Sequence, residues 1–284
     1  MRLGYLGPVG THTQRAAENY ALRCAARAPE STALTLIPRS SIGSLFHALS
    51  DSTLESILVP LENSHEGVVQ ASMDLLVSSN CYIQEEVILK IRHDIMAKPG
   101  TQMADIRDIV SHPQAIAQCG QFLQKTFPDT QIHVAESTAA AAKRVAEEIG
   151  THMAVIGSPA LSALYQLPPL ATDVQDSANN QTRFVVVSDT IATHTGHDKT
   201  SIAFSIKKDK PGGLYTVLAA FASRNINLTH IASRPSKTML GEYLFFIDCE
   251  GHVKDDLVDE ALKQIQTQCS LFKLLGSYRK DTAL

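Results

Sequence analysis

No apolar run in this chain approaches the roughly 18 residues that a membrane span needs, so no membrane partner is expected. Runs of lysine and arginine are missing too, and a formal charge of -4 gives no electrostatic case for nucleic acid. Cysteine is sparse and odd in number. Five residues in non-repeating spacing read as free thiols of a reducing compartment. A leader peptide is not expected, because residues 1–5 run straight into a strand-like pattern. These absences together predict a cytoplasmic protein.

What is present is an ordinary globular composition, 44% apolar and 19% charged over 284 residues, long enough for two domains. Residues 2–6 read as a short buried strand, 7–11 as a glycine-containing turn, and a helix pattern starts near Thr13. A strand, turn and helix start make an anion site, because the first N–H groups of a helix lack internal partners. Thr11 and Thr13 add hydroxyls. With neither the lysine of a P-loop nor a full G-x-G-x-x-G, a carboxylate suits this site better than a nucleotide.

A strand over 56–59 ends in a crowded polar segment, 60–67. Open α/β sheets bind ligands beyond the carboxyl ends of their strands. Here Asn63 offers a donor and an acceptor, Ser64 a hydroxyl, and Gly67 room for close approach. The same residues also fit a capped helix start, with Asn63 or Ser64 as N-cap. Further on, a strand over 109–111 leads into a helix predicted to run from Pro113 to about Thr126, with Gln114 and Gln118 on one face. Cys119 near His112 fits a small core residue better than a nucleophile. A strand over 132–135 precedes Ser137, Thr138 and an alanine-rich helix, which makes a second candidate carboxylate cradle. Another strand (154–156), a helix (158–164) and a proline-containing loop (167–176) follow.

Residues 180–184, Asn-Gln-Thr-Arg-Phe, place a guanidinium beside a hydroxyl at the start of an apolar strand. Neighbouring side chains of an extended segment face opposite ways, so Thr182 and Phe184 share a face and Arg183 takes the other. Residues 188–199 lack apolar periodicity and read as a linker; His194 and His197 within it are poor evidence of a metal site. From 200 onward the pattern is βαββαβ, a ferredoxin-like split βαβ unit without a catalytic cluster, which suits regulation or assembly better than chemistry.

With these residues laid out, the chain resembles the prephenate dehydratase family, in its single-function bacterial form, along essentially its full length. The matching segments are GPVGT (7–11), PLENSHEG (60–67), SHPQAIAQC (111–119), STAAA (137–141) and, most specifically, NQTRF (180–184). The tail resembles an ACT domain, with GGL at 212–214, INL at 226–228 and SRP at 233–235. The resemblance implies a two-lobed α/β catalytic region (1–188) like a type II solute-binding protein. Lobe one would hold about 1–76 and 160–187, and lobe two about 77–159. A linker (189–199) and an α+β ferredoxin-like ACT domain (200–280) would complete the chain.

The implied reaction converts prephenate to phenylpyruvate, carbon dioxide and water in phenylalanine biosynthesis, with no cofactor and no metal. The resemblance makes Thr182, Asn63 and Gln118 catalytic, and Glu62, Ser64 and Arg183 their neighbours at the substrate. Arg183 and the helix starts at Thr11, Ser137 and Thr138 are then expected to hold the carboxylates, Arg183 chiefly the pyruvyl one. Phenylalanine is implied as an effector between paired subunits, at Gly212, Gly213, Leu214, Asn227, Leu228, Ser233 and Arg234. That implies a homodimer or homotetramer. Two positions depart from the family pattern: Gly213, usually alanine, and Ala232, usually glutamate. Alternatives are an arogenate dehydratase, or a non-catalytic amino-acid sensor on the same scaffold, since a fold does not fix a function.

Overall fold

A computed structural model describes residues 1–30, 33–207, 211–236 and 243–281. The chain opens with β1 (Arg2–Leu6), α1 (His12–Arg27), β2 (Thr35–Arg39), α2 (Ile42–Ser50) and β3 (Ser56–Asn63). A two-residue β4 (Gly67–Val68), α3 (Gln70–Ser78), β5 (Tyr82–Lys90) and β6 (Asp94–Ala97) come next. Then follow β7 (Asp108–Ser111), α4 (Pro113–Gln118), α5 (Gly120–Thr126), β8 (Gln131–Val134) and α6 (Thr138–Glu147). β9 (Met153–Gly157), α7 (Ala160–Tyr165), β10 (Pro169–Ala171) and β11 (Gln181–Ser188) lead to the last third. That third comprises β12 (Asp198–Ile206), α8 (Gly213–Ala222), β13 (Leu228–Pro235), β14 (Tyr243–Glu250), α9 (Asp256–Gln266) and β15 (Cys269–Arg279). Among the described residues no helix is long and apolar enough to cross a membrane.

Two compact units result. One contains Met1–Leu45, Pro60–Val69 and Ile88–Phe184; the other contains Phe46–Val59, Gln70–Val87 and Val185–Leu284. In the first, a five-stranded sheet has the order β10-β6-β9-β7-β8. β7 runs parallel to β8 and β9, and β6 antiparallel to β9. Parallel strands need cover on both faces, and every residue of β9 is buried. Ile95, Ala97, Ile109, Ala154 and Ile156 face α4 and α5 through Ala115, Leu123 and Phe127. The alternate residues Met96, Val110 and Val155 face Ala139, Ala142 and Val145 of α6 and Leu161 of α7. The same unit pairs β1 parallel with β2, from Arg2↔Thr35 to Leu6↔Arg39. Gly10, at φ +89°, lies so close to α7 that a Cβ would stand 2.5 Å from Leu161, so the turn after β1 requires glycine.

In the second unit the order β13-β14-β12-β15 forms an antiparallel sheet. Its apolar face, with Ile202, Phe204, Ile247 and Cys249, packs on Val217 and Phe221 of α8 and Val258, Leu262 and Ile265 of α9. This is the expected ferredoxin-like arrangement. Beyond it β15 meets β5 at Arg279↔Glu85.

Four local expectations change. β3 continues to Asn63 instead of ending at 59, and β4 turns back on it, with Glu62↔Val68 and Asn63↔Gly67 paired. Segment 60–67 is therefore a strand end and hairpin, with Gly67 at φ +77°, not a helix start. The helix expected over 113–126 breaks at Cys119, and the Asp176 carboxylate accepts the N–H groups of Gln121 and Phe122 at the start of α5. A distant carboxylate capping a helix leaves no local sequence signal. The loop at 167–176 contains β10, antiparallel to β6. Residues Pro169–Ala171 therefore belong to the five-stranded sheet.

Candidate active site

Loops at strand ends in the first unit converge on a cavity of about 540 Å³, within the usual range for small-molecule sites. Leu6, Thr11, His12 and Thr13 come from the β1–α1 junction, and Asn63, Glu66 and Gly67 from the β3–β4 hairpin. His112, Gln114 and Gln118 come from β7–α4, Glu136, Ser137 and Thr138 from the start of α6, and Thr182 and Phe184 from β11. No lysine or arginine is among its lining residues.

Behind its wall runs a chain of amides whose polarity is set by the backbone. Asn63 Oδ1 accepts the N–H groups of His65 (2.9 Å) and Glu66 (3.2 Å), so its amide nitrogen must face the other way. That nitrogen donates to Thr182 Oγ1 at 2.8 Å and to Asn180 Oδ1 at 3.0 Å, and approaches the Gln181 carbonyl at 3.2 Å. With its carbonyl engaged by Asn63, Asn180 donates from Nδ2 to Gln118 Oε1 at 2.9 Å. The same Gln118 oxygen lies 2.9 Å from His93 Nε2, which must then carry the proton. Gln118 Nε2 approaches Glu66 Oε1 at 3.4 Å. Asn63, His93, Asn180 and Thr182 are buried, with Asn180 2% and Thr182 9% exposed, whereas Gln118 is half-buried and Glu66, at the far end, is exposed. Hydrogen bonds in such a network are strong, and a reversed amide is costly.

Thr182 is the end of this chain. A hydroxyl has one proton and two lone pairs. Here it accepts from Asn63 and, among the described residues, its own proton makes no hydrogen bond. The site thus presents an O–H beside the cavity with a donor behind the oxygen, which stabilises negative charge arising on it.

Of the other expected site residues, Thr11 lines the cavity as N-cap of α1; its Oγ1 accepts from Gln14 N at 3.3 Å and donates to the Pro8 carbonyl at 3.0 Å. Ser137 caps α6, accepting from Ala140 N at 3.0 Å, and Thr138 lines the wall beside it. Ser64 does not line the cavity. Its hydroxyl donates to the Asn179 carbonyl at 3.2 Å and accepts Gln181 N at 3.0 Å, tying the hairpin to the start of β11. Arg183 and Glu62 also lie outside the lining; strand alternation turns them to the other face, where their charged ends are 3.9 Å apart. Arg183 is thus not among the groups that the cavity lining offers to a carboxylate. Arg183→Gln is expected to lower Tm by about 2 °C, as a loss of about 1 kcal/mol would, and to change KM by less than about threefold. Thermal melts and steady-state kinetics check this together.

Cys119 is fully buried, and desolvation, followed by the nearby Asp176 charge, pushes its thiol up to about 12. It is a core residue. The sequence reading missed Asn180, Glu66, His12 and His93. Asn180 had a signal, two residues before Thr182 on the same face. The histidines had none, since His12 falls between the expected turn at 7–11 and the helix start near Thr13, and His93 lies outside every motif singled out in the sequence. Burial lowers His93, against opposing effects of the Gln118 hydrogen bond and the Asp94 charge.

A family model described as prephenate dehydratase matches residues 3–191, and one described as ACT domain matches residues 200–266. A prephenate dehydratase of Mycobacterium bovis is 38% identical over 283 residues, 98% of this chain and 87% of that protein. The bifunctional chorismate mutase/prephenate dehydratase of Aquifex aeolicus is 35% identical over 280 residues, 99% of this chain and 74% of that protein. Among solved structures, the prephenate dehydratase of Arthrobacter aurescens in complex with L-Phe matches with a TM-score of 0.86 at 32% identity, covering 98% of this chain and 90% of that one. The Staphylococcus aureus prephenate dehydratase matches at 0.83 and 26%, covering 98% and 100%.

Proposed function

The chain belongs to the prephenate dehydratase family, and we propose that its cavity eliminates water and carbon dioxide from prephenate with Thr182 as the proton donor. The reaction breaks two bonds. Electrons of the bond to the ring carboxylate pass through the diene as carbon dioxide departs, and the bond to the ring hydroxyl breaks at the far carbon. That oxygen takes a proton and leaves as water, while the ring becomes aromatic. No covalent nucleophile is needed; the protein must supply a proton, hold two carboxylates and exclude water.

The observation that carries this reading is the 2.8 Å bond from Asn63 Nδ2 to Thr182 Oγ1, with the amide's orientation held by the backbone of His65 and Glu66. It leaves the threonine proton for the substrate and supports the oxygen as that proton leaves. A neutral alcohol is a weak acid, so transfer must occur as the departing oxygen gains charge. Solvent then returns the proton to Thr182. The carboxylates would be held by neutral donors, the N–H groups and hydroxyls at the starts of α1 and α6 near Thr11, Ser137 and Thr138.

Phenylalanine is the effector this reading supports. The L-Phe complex of the Arthrobacter aurescens enzyme is 32% identical to this chain, and the tail has the ACT fold. Gly212 at φ +83° begins α8, Leu214 and Leu228 pack partly into the core, and Asn227 accepts Glu250 N through its carbonyl at 2.9 Å. Arg234 forms an ion pair with Asp74 and lies 5.9 Å above the Phe246 ring. A ligand site between paired subunits, which includes Ser233 and Gly213, makes a homodimer or homotetramer the working assembly.

Purified protein assayed with prephenate and with arogenate, each with and without phenylalanine, tests this reading. Turnover of prephenate, slowed by phenylalanine, is expected. Turnover of arogenate alone would move the assignment to arogenate dehydratase, and no turnover of either would favour an amino-acid sensor.

A further inference from the structure

Three ring nitrogens at this cavity are shielded from bulk water and lack a hydrogen-bond partner among the described residues: both of His12 and Nδ1 of His93. Such orphans are rare in native proteins and call for an explanation. His93 Nε2 is committed to Gln118, so its Nδ1 is a lone pair. His12 is committed to nothing. It begins α1 between Thr11 and Thr13, lines the cavity, and packs edge-on against His93 with ring centroids 5.4 Å apart. Because neither nitrogen is bonded, a half-turn of the ring sacrifices no hydrogen bond and offers an N–H to a guest.

We propose that His12, as an uncharged imidazole, donates a hydrogen bond to the ring carboxylate of the substrate and so positions that group without an ionic grip. The inference rests on the prephenate reading above. The ring carboxylate loses its charge as carbon dioxide forms, so a cation held against it would stabilise the bound substrate more than the transition state. A neutral donor orients the group at little such cost. The surroundings keep the imidazole neutral. Burial lowers His12 to about 3, and the neighbouring His93 and Arg15 act in the same direction. The acidic side chains lining the same cavity are Glu66 and Glu136, and its other imidazole is His112.

Three variants test the proposal: His12→Phe, which keeps a ring but has no donor, His12→Gln, a neutral donor, and His12→Lys, a cation. Circular dichroism and thermal melts first establish that each is folded, and prephenate turnover by the unaltered protein is measured beside them. His12→Phe is expected to lose about ten- to a hundredfold in kcat/KM, the range for a hydrogen bond to a charged group, and His12→Gln to recover most of it. His12→Lys is expected to lower KM and kcat together, the signature of a grip stronger on the substrate than on the transition state. The proposal is overturned if folded His12→Phe stays within twofold of the unaltered protein. It is also overturned if His12→Lys lowers KM at unchanged kcat, which places the imidazole at the pyruvyl carboxylate. An unaltered protein that does not turn over prephenate would instead sink the underlying reading.

Discussion

Replacing Thr182 with valine is expected to reduce kcat by about 10²–10⁴, the usual worth of a positioned proton donor, while the melting temperature changes little. Valine keeps the β-branched shape and removes only the hydroxyl, so the apolar neighbour Phe184 and the strand pairing of β11 are undisturbed. What is lost is the proton at the departing oxygen, together with the partner of Asn63 Nδ2. That nitrogen still reaches Asn180 Oδ1 at 3.0 Å and the Gln181 carbonyl at 3.2 Å, so no buried donor is stranded. Steady-state kinetics beside a thermal melt check the prediction. Near-normal turnover in a folded Thr182→Val protein would remove Thr182 from the chemistry.

Asn63→Asp is expected to be nearly as damaging, and for a different reason. Aspartate keeps an oxygen for the N–H groups of His65 and Glu66, so the hairpin survives. Its second oxygen, however, replaces the donor facing Thr182 with an acceptor. The threonine proton would then be held by the carboxylate instead of pointing to the substrate, and a negative charge would sit beside a developing oxyanion. Removing one such donor typically lowers kcat by about 10²–10³, and the added charge should raise KM for a dianion as well. Asn63→Ala, which deletes the donor without reversing it, should lose less kcat than Asn63→Asp. The opposite ranking would show that the turn at 63–66, and not the polarity of the amide, is what the reaction depends on.

Much of this was legible in the residues themselves. Alternation along 180–184 set Thr182 and Phe184 on one face and Arg183 on the other, and the cavity lining follows that division. The βαββαβ tail was readable because Ile202, Phe204 and Ile206 alternate along a strand and Leu214, Val217, Leu218 and Phe221 recur at the spacing of one helix face. Local pattern did not, however, reveal what Arg183 would meet: Glu62 lies on β3, the strand beside β11 in the sheet, and neither segment signals that pairing by itself. The break at Cys119 depends on Asp176, which is brought in by a distant loop. His12 and His93 likewise acquire meaning only from each other, since neither carries a periodic or capping signal in its own segment. Long-range polar pairing is the physical information that a reading of neighbours leaves out.

The most direct measurement is a crystal structure with a bound analogue that keeps the ring hydroxyl and both carboxylates but cannot eliminate. The account predicts Thr182 Oγ1 within about 3.2 Å of that hydroxyl oxygen, with Asn63 Nδ2 still bonded behind it and the carboxylates at the starts of α1 and α6. A hydroxyl that meets Glu66 or His93 instead, with Thr182 out of reach, would contradict it.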